Sequence, residues 1–141
     1  MLANLLIDTG AILAILDRRD RWHKACTSAI RQVRLPALTS EAVLTEVFHL
    51  LGRTRVDLDV AWNFIRSGAI QLAAVDHSEL AQIHALMSRY RDRPMDFADA
   101  TLVYLAERES LQVILTVDHS DFSTYRFGRR RRFHILPAAR P

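Results

Sequence analysis

Leu5-Leu6-Ile7-Asp8-Thr9-Gly10-Ala11-Ile12-Leu13 is the stretch that decides the architecture of this chain. Three consecutive apolar residues, one of them β-branched, read as a short buried strand. Asp8 ends that strand, and Thr9 and Gly10 open a helix predicted over Ala11 to Leu16. The same design returns downstream, where a strand over Val113 to Val117 is closed by Asp118.

Between these two points, strand and helix signals alternate. Asp20 is placed to cap a helix from about Arg21 to Val33, and Pro36 breaks the pattern. Leu35 to Leu38 reads as a second strand. Thr39 or Ser40 then caps a helix through Leu51, closed by Gly52 in the C′ position. Asp57 to Arg66 reads as a helix ended by Ser67-Gly68, and Ile70 to Val75 as a third strand. Asp76 with Glu79 three residues on forms a capping-box start to a helix reaching about Tyr90. A further helix is predicted from Phe97 to Glu107, and a fifth strand from Phe133 to Leu136. Short strands that are apolar throughout, separated by helices, predict an α/β fold with a parallel sheet covered on both faces. Ligand sites in such folds lie beyond the carboxyl ends of the strands, where Asp8 and Asp118 fall.

With 141 residues the chain fits one domain, residues 1–141, with a single substantial core. Its apolar runs are too short to span a bilayer. Met1-Leu2-Ala3-Asn4 carries no positive charge, and Asp8 interrupts the apolar run a signal peptide needs. A lone Cys26 excludes an internal disulfide framework and thiolate zinc sites. These features predict a cytoplasmic protein. The net charge is +3, and nearly all the positive charge is arginine, with Lys24 the only lysine. The densest basic cluster is Arg129-Arg130-Arg131-Arg132, with Arg126 beside it. Such a run is a solvated loop or tail, or else a nucleic-acid contact, and the acidic residues described next favour the contact.

The acids are harder to explain by folding alone. Asp8 can cap the helix that follows it. Glu46 sits at the edge of the stripe Val43, Val47, Leu50, Leu51, from which it can reach solvent or pair with an arginine such as Arg53. Asp99 shares a helical face with Leu102, Val103 and Ala106, where a carboxylate is costly to bury without a partner. Asp96 lies one turn earlier, as a cap, a site member, or both. Asp118 and Asp121 flank His119-Ser120 after the fourth strand. Carboxylates gathered by a fold repel one another and resist ionising unless a cation joins them. The remaining histidines, at 23, 49, 77, 84 and 134, show no metal-ligand spacing, which argues against zinc. Hard oxygen donors without sulfur favour Mg2+, with Mn2+ as the second choice. A water activated by such an ion attacks phosphorus in line, so hydrolysis of a phosphate ester is the predicted chemistry.

Taken together, four ordered motifs resemble those of the PIN-domain nucleases, and most closely the VapC-type toxins of bacterial toxin–antitoxin pairs. They are Leu5-Leu6-Ile7-Asp8-Thr9-Gly10, Glu46 within Ser40-Glu41-Ala42-Val43-Leu44-Thr45-Glu46-Val47, Met95-Asp96-Phe97-Ala98-Asp99-Ala100, and Thr116-Val117-Asp118-His119-Ser120-Asp121-Phe122. The resemblance implies a three-layer α/β/α sandwich with a central parallel sheet and magnesium-dependent cleavage of RNA. It implies that Asp8 and Asp99 are the principal metal ligands. Glu46 and Asp118 then complete the catalytic pocket, with Thr116, Asp121 and Asp96 in support. It further implies a homodimer and a partner antitoxin whose C-terminal segment lies in a groove beside the site. His119 stands where the family often has arginine, which puts a substrate contact there in doubt.

Other readings stay open at this point. Asp8-Thr9-Gly10 also resembles the aspartic-protease signature, but those enzymes are β-rich and need two such motifs. An aspartyl-phosphate phosphohydrolase normally needs a second Asp two residues after the first, where this chain has Gly10. A PIN nuclease that works outside a toxin pair, and an RNA- or partner-binding module without catalysis, remain alternatives.

Overall fold

The computed structural model describes residues 3–141; Met1 and Leu2, which head the stretch read for a leader sequence, lie outside the described residues. In chain order the elements are β1 (Leu5–Ile7), α1 (Thr9–Leu16), α2 (His23–Arg31), β2 (Ala37–Ser40), α3 (Glu41–Leu51), α4 (Leu58–Arg66) and β3 (Ile70–Ala73). A single 3₁₀ turn, His77–Glu79, leads into α5 (Leu80–Arg89), followed by α6 (Phe97–Arg108), β4 (Val113–Leu115) and α7 (His119–Thr124). Two short strands, β5 (Arg126–Phe127) and β6 (Arg131–Arg132), form an antiparallel hairpin before β7 (His134–Leu136).

The main sheet is parallel throughout, in the order β3-β2-β1-β4-β7. Leu6 of β1 lies between Leu38 of β2 and Ile114 of β4. Leu5, Leu6 and Ile7 are 1%, 0% and 0% exposed. Each contributes roughly 1.5–3 kcal/mol by leaving water, so a strand of three residues suffices at the sheet centre.

The chain first steps from β1 to β2 to β3, through crossovers carrying α1 to α4. It then returns across the sheet to β4 through α5 and α6. Right-handed crossovers in opposite directions lay these helices on opposite faces, and the result is the three-layer α/β/α sandwich. Strand order reverses between β1 and β4, and the crevice beyond their carboxyl ends is where such sheets bind ligands.

Several boundaries move for identifiable reasons. The second helix starts at His23 rather than Arg21, because the Asp20 carboxylate accepts the Trp22 amide at 2.8 Å and closes a turn instead of a cap. Strand β2 starts at Ala37, since Pro36 has no N–H to donate. It runs on to Ser40, whose hydroxyl then accepts the Val43 amide and caps α3. Gly52 ends α3 with a right-handed φ of −62°, not in the left-handed C′ form. Thr54 instead closes that end, its backbone N–H and its hydroxyl both donating to the Leu51 carbonyl. Gly68, at φ +94°, does supply the left-handed residue after α4. The capping box of Asp76 and Glu79 forms as read.

The sequence shows no helix or strand period over 119–132. It folds as α7 and the hairpin, pinned by an aromatic cluster. Phe122 meets Tyr125 and Phe133 edge-on at 5.2 and 5.5 Å, and Phe127 packs on Phe133 at 4.8 Å.

Candidate functional site

Asp8 follows β1 and is the N-cap of α1. Its backbone N–H donates to the Leu115 carbonyl at 3.0 Å, so the residue is held against the end of β4. One carboxylate oxygen accepts the Thr9 amide at 2.7 Å and the other accepts the Thr116 hydroxyl at 2.9 Å. The side chain is only 6% exposed, and burial pushes its pKa up to about 6 against the pull of those two hydrogen bonds. The charges of Glu46 and Asp118 push in the same direction as burial.

Thr116, fully buried after β4, ties two acids together. While donating to Asp8, its hydroxyl accepts the Asp118 amide at 3.0 Å. Asp118 in turn caps α7 by accepting the Asp121 amide at 3.0 Å. Burial first, and the neighbouring Asp121 next, raise its pKa.

On the facing side, Asp96 caps α6 by accepting the Asp99 amide at 2.7 Å. Asp99 therefore enters the pocket from the first turn of that helix. The Tyr125 hydroxyl donates to it at 3.2 Å. Burial first, and the charges of Asp8, Asp96 and Asp118 with it, push the Asp99 pKa up to about 8.

Carboxylate oxygens of Asp99, Asp118 and Asp121 lie within 4.8 Å of one another, close enough to share one cation. Asp8 does not belong to that triple, but its charge acts on Asp99 through the shared pocket. Glu46, half-buried on α3, stands at the other margin. It lines a groove of about 680 Å³ with Glu41, His49, Asp96 and Phe97, and its charge is felt at Asp8.

Among the described residues the one cation paired with these acids is Arg93, whose Nε donates to Asp121 at 2.9 Å. That pair is substantially exposed, so it offsets little of the repulsion inside. A pocket of oxygen donors whose carboxylates are driven toward protonation fits a hard divalent cation.

Gly10 makes the pocket sterically possible. A Cβ there would sit 2.4 Å from Cγ2 of Val117, so only glycine lets α1 approach the chain leaving β4.

His119 is not turned to this chemistry. Its ring packs against Trp22 with centroids 5.2 Å apart, and burial lowers its pKa. Glu46 makes no ion pair with Arg53 among the described residues. Arg129 to Arg132 form the turn and second strand of the hairpin, and among the described residues none of them forms an ion pair with the acids. Tyr125 and Arg93 escaped the sequence reading, because nothing in their spacing ties them to Asp99 or Asp121.

The PIN domain family model matches residues 5–128, from β1 through the first strand of the hairpin. This chain is a PIN-domain protein. The match embraces all four acid-bearing motifs. The PIN domain is 32% identical over 136 residues to ribonuclease VapC26 of Mycobacterium tuberculosis, covering 94% of this chain and 100% of that relative. It also resembles the crystal structure of Mycobacterium tuberculosis VapC20, a sarcin-ricin loop cleaving toxin, with a TM-score of 0.68. That likeness covers 79% of this chain and 87% of the other at 22% identity, and it bears on the fold. Among the described residues no helix is long and apolar enough to cross a membrane.

Proposed function

We propose that this PIN domain is a magnesium-dependent endoribonuclease, the toxin of a toxin–antitoxin pair, acting in the cytoplasm as a homodimer. The observation that carries the reading is the convergence of Asp8, Asp99 and Asp118 at the β1–β4 crevice, with two of their pKa values raised to about 6 and 8. Repulsion of that kind is tolerated where a cation neutralises it. Near-full-length similarity to a ribonuclease supports the nuclease assignment.

In this reading Asp8 and Asp99 hold the ion, and Glu46 and Asp118 complete the catalytic pocket. Thr116 fixes the Asp8 carboxylate, and Asp121 and Asp96 support from α7 and the α6 cap. Mg2+, or Mn2+ in its place, supplies a water of lowered pKa and offsets charge growing on the phosphate oxygens. The chain's own work is to position and to move protons. The carboxylates that do not bind the ion orient the attacking water and accept its proton. The arginines at 129 to 132 draw in the polyanion that the acids repel.

Burial and the neighbouring carboxylates favour the protonated form of Asp99 without the ion, so binding the ion is expected to release a proton. Affinity for the ion therefore rises with pH through about 8. The test is cleavage of a cellular RNA pool by purified protein with Mg2+, with chelator, and with Asp99→Asn. Metal-dependent cuts that vanish in the variant are expected. Cutting that persists in chelator or in the variant would refute the assigned mechanism. Absence of cutting with any divalent metal would leave a binding module as the better reading.

A further inference from the structure

Beside the acidic pocket the hairpin and the end of α5 border a second cleft, of about 760 Å³, lined by Arg89, Tyr90, Thr124, Arg126, Arg130 and Arg132. Among the described residues no carboxylate lines it. The side chains of Arg89, Arg130 and Arg132 have no hydrogen-bond or ion-pair partner among the described residues. Arg126 is anchored differently. Its Nη1 donates to the carbonyls of Ser123, Thr124 and Tyr125 at 2.7, 2.9 and 3.0 Å, which fixes the guanidinium on the end of α7.

The fold concentrates these cations against its own interest. Arg126 pairs directly across the hairpin from Arg132, and like charges so placed destabilise it. Arg130 holds a φ of +62°, a region that non-glycine residues enter rarely. The hairpin also divides the arginine run. Arg131 lies over the Phe127 ring, 5.2 Å from its centroid, and donates to Gln112, whereas Arg130 and Arg132 face the cleft.

Cleft and acidic pocket share a wall. The Tyr90 hydroxyl accepts the Arg126 amide at 2.9 Å, and its ring meets Tyr125 edge-on at 5.1 Å. Tyr125 in turn donates to Asp99. Helix α7 runs between the two sites, from Asp118 at one end to Thr124 at the other, a span of about 9 Å at the usual helical rise.

We propose that this cleft is a phosphate-binding subsite that takes the backbone of single-stranded RNA leaving the acidic pocket, with Arg89, Arg130 and Arg132 as its contacts. Arg126 is a positioning residue that fixes the cleft's wall. The placement beside a bond to be cut rests on the nuclease reading above. Guanidinium forks match phosphate oxygens, and a cleft without acids has no means of repelling a polyanion.

The test is binding of a labelled single-stranded RNA to the full chain in chelator, followed over a range of salt. Replacing Arg89, Arg130 and Arg132 together by glutamine should weaken binding at least ten-fold. It should also lower the log–log salt slope by about 2, at roughly 0.7 per lost contact on a single strand. A charge-matched triple, Arg31→Gln with Arg34→Gln and Arg66→Gln, removes exposed arginines from other parts of the surface and should shift the slope by less than one contact. Lysine at the three cleft positions should restore the slope. Equal slopes for the two glutamine triples would overturn the proposal. So would an acidic polypeptide that competes as well as RNA of equal charge, since the cleft would then belong to a protein partner. Metal-dependent cleavage with equal slopes would sink the cleft and keep the nuclease. Absence of cleavage with the slope difference intact would do the reverse.

Discussion

Asp99→Asn should abolish cleavage and at the same time make the metal-free protein more stable. In the folded chain burial and three neighbouring carboxylates push the Asp99 pKa from 3.8 to about 8. The unfolded chain ionises it at its ordinary value, so at pH 7 folding must keep a proton that water would remove. At ~1.36 kcal/mol per pH unit, the interval from 3.8 to 7 amounts to about 4 kcal/mol. Asp99 is only partly buried, and local relaxation screens it, so about half of that, ~2 kcal/mol, is the working figure.

The sign follows from proton counts. Between pH 3.8 and about 8 the folded state binds more protons at this site than the unfolded state. Stability from the group is full below pH 3.8 and is lost as pH rises through about 8. Asparagine has no such dependence and can still accept from Tyr125. Thermal unfolding in chelator should therefore show the variant melting about 6 °C higher at pH 7, on the scale for a domain of this size. The gap should shrink toward pH 4. Adding Mg2+ should stabilise the wild type and leave the variant unmoved, narrowing or reversing the gap. A variant that melts at or below the wild type in chelator at pH 7 would refute the claim that Asp99 sits in an electrostatically strained pocket.

Three further outcomes follow from the same geometry. Thr116→Val removes the donor to Asp8 and strands the Asp118 amide; a loss of about 1–3 kcal/mol in denaturant unfolding is expected, with weaker Mg2+ binding by calorimetry. Gly10→Ala places a methyl 2.4 Å from Val117 Cγ2, for a cost of about 1–3 kcal/mol that the companion change Val117→Ala should largely relieve. Asp118→Ala loses both charge and cap, whereas Asp118→Asn keeps an oxygen for the Asp121 amide. Urea unfolding should show alanine less stable than asparagine by about 1 kcal/mol, while both lose cleavage alike; equal stabilities would show that the cap contributes nothing.

The sheet and its crevice were legible because buried parallel strands need unbroken apolar runs, and Leu5–Ile7 and Val113–Leu115 supply them. Asp8 and Asp118 stood out because each follows such a run. Asp99 stood out because it interrupts the apolar face of Leu102, Val103 and Ala106. The region from 119 to 132 was not legible. Its order comes from Phe122, Tyr125, Phe127 and Phe133, which are irregularly spaced and meet only in three dimensions. The same is true of Tyr125 on Asp99 and Arg93 on Asp121, contacts spanning 26 and 28 residues that no local period announces.

Capping and site membership, weighed as rival explanations of single acids, prove to be one arrangement. Asp8, Asp96 and Asp118 are the N-caps of α1, α6 and α7. Each accepts a backbone amide at its own helix start, and the positive end of each helix dipole favours the negative charge placed there. Three helix N-termini thus converge on the crevice between β1 and β4. They supply fixed partial charges that hold carboxylates together before any cation arrives. Two further acids use those same starts, since Asp99 and Asp121 sit in the first turns of α6 and α7 with their amides bound to the capping acids. Removing a cap therefore displaces the next acid as well as its own charge. This is why asparagine, which caps but cannot ionise, separates positioning from chemistry at this site.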